Sequence, residues 1–337
     1  MLQNFAGVSK ANGVPSNNVV EYKIGDILIS NIRPYLKKIW LANQNGGCSS
    51  DIIVLSPCEN YDGSFVYYLL ANDGFVSYVM SGAKGLKMPR GDKQQILKYG
   101  ISIPSLKEQR KIAALLDLFD QHIETQKKII EKYESLIRGL ITYVNNGKVG
   151  RCEKVCLREL LIECHEKNSD NHEVCSVSVS HGVINQVDYL GRSFAAKEVL
   201  HYNVVNYGDI IYTKSPTGDF PYGIIKRSDI HKPVAVSPLY GVYRPINDYI
   251  GRYLHLYFKS PINAKNYLHR LIQKGAKNTI NITNQHFLNN KIQIPEPDVL
   301  EVFVHAASEI EKKILAENRA LASFEKQKNY LLSKMFI

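Results

Sequence analysis

Four short stretches of this chain mix side chains that can grip an anion with side chains that can exchange hydrogen bonds. Lys214, Ser215, Thr217 and Tyr222 stand in KSPTGDFPYG, between two β-rich runs. Lys274, Lys277 and Asn278 stand in QKGAKNT. Lys84, Lys87 and Arg90 occupy a similar place in SGAKGLKMPRG, and Arg33 and Lys37 follow an early Gly-Asp-Ile. Cations on loops neutralise phosphates, hydroxyl and phenol groups reach base edges, and a carboxamide such as Asn278 can pair bidentately with adenine. Taken singly, each of these residues reads as a solvated charge or a hairpin tip; taken as a set, they point to a polyanion that carries bases. Asp26 and Asp209 belong to the two Gly-Asp-Ile runs and are expected to shape turns.

The bulk composition agrees. A chain of 337 residues accommodates two or three domains. With 45% hydrophobic and 22% charged residues it is not a disordered polymer. The net charge of +10 favours nucleic acid first and an acidic membrane surface second. No stretch reaches the ~18 consecutive apolar residues of a membrane span. Met1 to Lys10 lacks the basic start and apolar run of a secretion signal, so a cytoplasmic location with free thiols is expected. Cys152, Cys156, Cys164 and Cys175 lie near His165 and His172, but their irregular gaps do not make facing zinc knuckles. Neither a metal nor a cofactor is expected.

Catalytic residues are not expected either. Asp219-Phe220-Pro221-Tyr222 departs from the Asn/Asp-Pro-Pro-Tyr of adenine methyltransferases, and no Gly-rich cofactor loop precedes it, so it reads as a turn. There is no Gly-x4-Gly-Lys-Ser/Thr phosphate loop, and the serines and histidines form no ordered nucleophile set.

The elements that must position these loops occur twice. YKIGDILI (22–29) corresponds to YGDIIY (207–212), and SSDIIVLSP (49–57) to AVSPLYGVYRP (235–245). The amphipathic, aromatic-rich FVYYLLANDGFVSYV (65–79) corresponds to RYLHLYFKSPINAKNYL (252–268). The Gly-Ala-Lys segments and GISIPSLKEQ (100–109) against KIQIPEPDVLE (291–301) complete the series. Gly25 and Gly208 are 183 residues apart, Ile103 and Ile294 191 apart, so the order of elements is duplicated.

Each half closes on a long helix, about Leu106 to Val144 and about Val299 to Met335. Ile112, Leu116, Phe119, Ile123, Gln126, Ile130, Tyr133, Ile137 and Leu140 alternate steps of four and three. So do Phe303, Ala307, Ile310, Ile314, Glu317, Leu321, Phe324 and Leu331, with Lys328 as a further polar place. This is a heptad seam, and it predicts helix-on-helix pairing. Glu317 lies 191 residues beyond Gln126, and each stands midway along its stripe. An antiparallel pair therefore brings the two together in one polar layer, which fixes register. A helix of this length spans roughly 58 Å and would hold two globular parts apart.

IPSLKEQRKIAALLDLFDQHIETQKKII (103–130), KIGDILISNIRPYLKKIWLA (23–42) and VVNYGDIIYTKSP (204–216) resemble the specificity (S) subunits of type I restriction–modification systems. The resemblance implies an α+β chain with a pseudo-twofold internal repeat. Two mixed α/β target-recognition domains would be separated by two long antiparallel helices that form a coiled coil. The boundaries expected are 1–103 for the first recognition domain, 104–144 for its helix, 145–150 for a linker, 151–295 for the second domain and 296–337 for the second helix. About 57 residues separate Arg151 from Gly208 and 24 precede Gly25, so a first domain shorter at its N-terminus is expected. The implied function is recognition of a bipartite site in double-stranded DNA, without catalysis. Two modification (methyltransferase) subunits and the restriction (translocase/nuclease) subunits would act there. The alternatives are the recognition region of a fused methyltransferase–nuclease and a remnant that reads one half-site.

Overall fold

The computed structural model of the chain describes all residues except 4–6, 10–18, 191–197, 275–279 and 337; at 189–190, 273–274 and 280–281 it describes the backbone. The first elements in chain order are β1 (Val19–Tyr22), β2 (Ile27–Ser30), β3 (Ile39–Leu41), β4 (Gly46–Ser49), β5 (Ile52–Leu55), α1 (Gly63–Leu70), α2 (Asp73–Ser81), α3 (Lys93–Ile96) and α4 (Leu106–Asn145). Then come β6 (Cys152–Cys156), β7 (Leu161–Glu163), β8 (Cys175–Ser178), β9 (Gly182–Asn185), α5 (Gln186–Leu190), β10 (Asn203–Val205), β11 (Ile210–Tyr212), β12 (Ile225–Arg227), β13 (Val234–Val236) and β14 (Gly241–Pro245). The series ends with α6 (Asp248–Phe258), α7 (Pro261–His269), β15 (Gln273–Lys274), β16 (Ile280–Asn281), α8 (Asn284–Asn289), β17 (Lys291–Pro295) and α9 (Pro297–Met335). Contacts gather these elements into two units, Met1–Ile130 with Ala316–Ile337, and Glu131–Leu315.

In the first unit β2 runs antiparallel between β3 and β5, with Leu28 opposite Trp40 and Val54. Ile27, Leu28 and Ile29 are all buried, so this strand has no solvent face. Ile27 and Ile29 pack on Phe65, Leu69 and Phe75, and Leu28 packs on Trp40. The chain enters β2 through Gly25 at φ +91°, a left-handed conformation that glycine adopts without a Cβ clash. Asp26 then accepts from the Lys23 amide at 2.7 Å and from the Ser56 hydroxyl at 2.6 Å, which holds the turn shut. The amphipathic run 65–79 divides into α1 and α2 because the Asn72 carboxamide accepts from the Phe75 amide at 2.9 Å and starts a new helix.

The Ser-Leu-Lys-Glu-Gln run acquires a physical meaning here. Glu108 accepts from the Ser105 hydroxyl at 2.8 Å and from its amide at 3.2 Å, an N-terminal box that starts α4. Gln109, only 1% exposed, accepts from the Asp62 amide at 2.9 Å and donates to the Pro104 carbonyl at 3.0 Å. One glutamine thus brackets the starts of α1 and α4.

Within this unit the long helices run antiparallel. Asp120 pairs with Lys328, Lys127 with Glu325 at 3.3 Å, and Gln126 Nε2 donates to Glu317 Oε2. The Tyr68 hydroxyl shares its single proton between Asp117 at 2.8 Å and Asp120 at 2.7 Å, and the Lys328 ammonium lies 5.2 Å over the Tyr68 ring. This partly dry polar node ties α1 to both helices and penalises any slip that would leave one group unpaired.

The second unit repeats the strand order. β11 runs antiparallel between β12 and β14, as β2 does between β3 and β5. Gly208 is left-handed like Gly25, and Asp209 accepts from the Asn206 amide at 2.8 Å as Asp26 does from Lys23. A fourth strand, β7, covers β14, and β17 pairs with β6. Among the described residues of the first unit no strand covers β5. The division between α6 and α7 has its own cap: Ser260 accepts from the Asn263 amide at 3.4 Å, with Pro261 at the first turn. The α4 residues Ile137 and Ile141 share a core with Phe303, Val304 and Ala307 of α9.

The same unit encloses a histidine among cations. The Arg227 side chain, 2% exposed, sits between Asp229 and Asp248, and its backbone amide donates to His255 Nδ1 at 3.1 Å. Loss of solvent, then the cations Lys226, Lys259, Arg227 and Arg252, push the His255 imidazole down to about 3. In the unfolded chain a histidine titrates near 6.5, a value taken as about ordinary. His255 therefore costs nothing above that pH. Below it the unfolded chain binds a proton that the folded unit refuses, and stability falls by up to about 1.4 kcal/mol per pH unit until pH nears 3. Urea midpoints followed from pH 7 to 4 should drop more steeply for the native chain than for His255→Asn. Parallel curves would remove His255 from the account.

Candidate nucleic-acid interface

The segment between β11 and β12 is a loop anchored at both ends. Lys214 takes a left-handed conformation at φ 61°. Gly223 lies against it so closely that a Cβ would meet the Lys214 nitrogen at 2.9 Å. The Thr213 hydroxyl accepts from the Ile224 amide at 3.1 Å, and the Tyr212 hydroxyl donates to the Tyr222 carbonyl at 2.8 Å. At the tip, Thr217 and Phe220 exchange backbone hydrogen bonds of 3.1 and 2.9 Å around Gly218. Phe220 is buried and anchors the tip, while Ser215 and Thr217 are exposed. Asp219-Phe220-Pro221-Tyr222 is therefore built as a turn.

Desolvation pulls the Lys214 ammonium below the ordinary lysine range, against the opposing pull of Glu163. A less hydrated ammonium binds an incoming anion at a smaller solvation cost. The half-buried Tyr222 ring lies 5.9 Å from that of His269, so the loop touches the end of α7. The chain then enters the β15–β16 hairpin, where Lys274 stands opposite Ile280. The Lys274 side chain, Lys277 and Asn278 lie outside the described residues.

Glu163 and Asn284 are polar groups at this end that the sequence did not single out. Asn284 Nδ2 donates to Glu163 Oε1 at 2.6 Å, and Asn284 Oδ1 is buried with no hydrogen-bond partner among the described residues. No sequence pattern could have paired them: 121 residues separate them, and they meet because β7 joins the sheet while α8 packs across it.

The first unit assembles its cations differently. The Arg33 amide donates to the Pro89 carbonyl at 2.7 Å, and the Gly91 amide to the Asn31 carbonyl at 3.0 Å. Lys84 and Arg90 exchange backbone hydrogen bonds of 2.9 Å, with Lys87 exposed in the tip between them. Arg33, Lys84, Lys87 and Arg90 therefore share one pair of interlocked loops. Arg90 has Asp51 at 3.3 Å and Lys84 has Asp92 at 4.0 Å, both at exposed positions. Arg33 Nε is enclosed with no hydrogen-bond partner among the described residues. Lys37 stands apart, its ammonium 2.5 Å from Asp73 at the start of α2. The loop 82–91 and the β15–β16 hairpin occupy the same topological place, between the second and third short helices of each series.

The long-helix positions separate from these loops. Leu116, Ile123, Ile137, Phe303 and Ala307 are buried. Ile112, Phe119, Gln126, Ile130, Tyr133, Ile310, Ile314, Glu317, Leu321, Phe324 and Leu331 are half-buried. The six cysteines are unpaired, and no cluster of three or more His, Cys, Asp or Glu able to hold a metal occurs among the described residues.

Residues 6–135 match the family model described as the type I restriction modification DNA specificity domain. The type I restriction enzyme EcoDI specificity subunit of Escherichia coli is 24% identical over 150 residues, 44% of this chain and 32% of that protein. The match thus spans about a third of that relative's length. The S subunit of a type I restriction–modification system from M. genitalium has the same fold, with a TM-score of 0.60, 14% identity, and coverage of 98% of this chain and 87% of that one. A chain from a structure concerned with complex assembly and conformational transition of the type I R-M system gives a TM-score of 0.53, 16% identity, and coverage of 95% and 84%.

Proposed function

We propose that this chain, whose residues 6–135 match the type I restriction modification DNA specificity domain, recognises DNA sequence for partner subunits and performs no chemistry itself. The carrying observation is the match over residues 6–135 joined to a duplicated strand order. Each copy presents a cation-bearing loop between equivalent elements. Phosphate contacts set the protein on the duplex, and polar side chains on anchored loops read base edges. The chain is the specificity subunit of a complex in which two modification subunits methylate a bipartite site in double-stranded DNA and restriction subunits cleave. The DNA-contacting set is Arg33, Lys37, Lys84, Lys87, Arg90, Lys214, Ser215, Thr217, Tyr222, Lys274, Lys277 and Asn278. The antiparallel helices supply the spacer, with Gln126 and Glu317 as its register mark.

Methylome sequencing of cells with and without this gene tests the reading. A split motif that is methylated only when the gene is present is the expected result. An unchanged methylome in cells that express active modification subunits would overturn it. Methyl transfer by the isolated chain from labelled S-adenosylmethionine would overturn the non-catalytic assignment alone.

A further inference from the structure

The second unit holds a cationic pocket apart from the loop residues already named. β6 and β17 pair so that Lys154 stands opposite Gln293 and Lys291 opposite Cys156. Ile292 and Ile294 are buried on the other side of β17, so Lys154, Lys291 and Gln293 share the outward face by strand alternation. Arg270 caps the end of α7, and Asn266 lies one turn before it. These side chains, with Tyr257 as a half-buried neighbour, line a pocket of about 510 Å³.

Its lining contains no carboxylate, and none of the three cations has an acidic partner within ion-pair distance among the described residues. Several other cations of this unit, Arg227, Lys232, Arg244, Arg252 and Lys259, do have an Asp or Glu partner. Three like charges directed into one concavity repel, and a bound anion relieves that repulsion. Uncharged amides beside them add donors for its oxygens.

We propose that Lys154, Arg270 and Lys291 form a phosphate-binding pocket that grips the sugar–phosphate backbone of bound DNA. The inference rests on the reading of the chain as a DNA-recognition protein and extends it to a contact outside the loops. Chain order favours a nucleic-acid backbone over an acidic protein surface. Arg270 closes the helix that leads into the β15–β16 hairpin, and Lys291 opens the strand that follows α8 beyond it. A duplex whose bases meet the hairpin thus passes a cationic pocket built where that segment leaves and rejoins the core. Asn266 and Gln293 supply neutral donors, as phosphate contacts commonly do.

The test is a triple variant of the full chain, Lys154→Gln, Arg270→Gln, Lys291→Gln, titrated with a fluorescent duplex of mixed sequence at several salt concentrations. All three side chains are exposed, so the thermal midpoint should not move. Each lost phosphate contact flattens the slope of log K against log salt by about 0.9, so the variant should be flatter by about 2 to 3. Single variants, each flatter by about 1, decide the matter if the triple variant fails to fold. An unchanged slope, with native binding intact, overturns the pocket and leaves the DNA reading standing. An unchanged slope with lost assembly onto modification subunits overturns it in favour of a protein contact. A native chain that binds no duplex at all overturns both readings together.

Discussion

Phe287→Ala should cost the second unit about 3–5 kcal/mol, the largest loss expected from any single side chain that contacts no DNA. The ring is fully buried. It stacks on Tyr212 at 4.9 Å and on Tyr243 at 4.8 Å, and meets Tyr267 edge-on at 5.7 Å. The Tyr267 hydroxyl also donates to the Phe287 carbonyl at 2.5 Å. Deleting the ring removes the transfer energy of a buried aromatic, leaves a cavity between rings that cannot all collapse, and forfeits three aromatic contacts. Domains of this kind are stable by only about 5–15 kcal/mol in total, so the variant should be close to unfolding at physiological temperature. Urea denaturation followed by tyrosine fluorescence reads the change directly, and Phe287→Leu should recover more than half of it. A loss below about 1 kcal/mol would show that the ring is not the keystone of this core. The same variant should lose DNA affinity, because Tyr212 leads into the 213–223 loop and α8 follows the hairpin. One ring therefore sets two candidate contact segments against each other.

Neutralising Arg33, Lys84, Lys87 and Arg90 together with glutamine should have the largest effect on binding. If each contacts one phosphate, the salt slope flattens by about 3.6, which is worth about a hundredfold in affinity between 50 and 200 mM salt. The fold should tolerate the change, since the pairs Arg90–Asp51 and Lys84–Asp92 are exposed and such pairs contribute about 0–1 kcal/mol. The interlocking of the two loops survives as well, because it runs through backbone groups at Arg33, Lys84, Arg90 and Gly91. Lys37→Gln is the internal comparison: its ammonium already faces Asp73, so it should flatten the slope by less than any member of the cluster. Phosphate contacts carry no sequence information, so whatever motif is read should stay the same while the affinity falls. A change of motif without a change of slope would move these residues from the backbone to the bases.

The amino-acid sequence alone was enough to determine the repeat, the two long helices and their antiparallel pairing with Gln126 against Glu317. The reason is that a heptad seam and a Gly-Asp turn are written as short periodic or local patterns, and a polar place midway along each of two seams fixes how they can meet. The same locality explains why Asp219-Phe220-Pro221-Tyr222 reads as a turn and forms one. Only the tertiary structure decided that Tyr68 joins Asp117, Asp120 and Lys328, that Glu163 meets Asn284, and that Lys154, Arg270 and Lys291 surround one pocket. Each of these depends on which strands pair and which helix packs across them. Those choices follow from burying apolar surface across a hundred or more residues, and no short window of sequence carries that information.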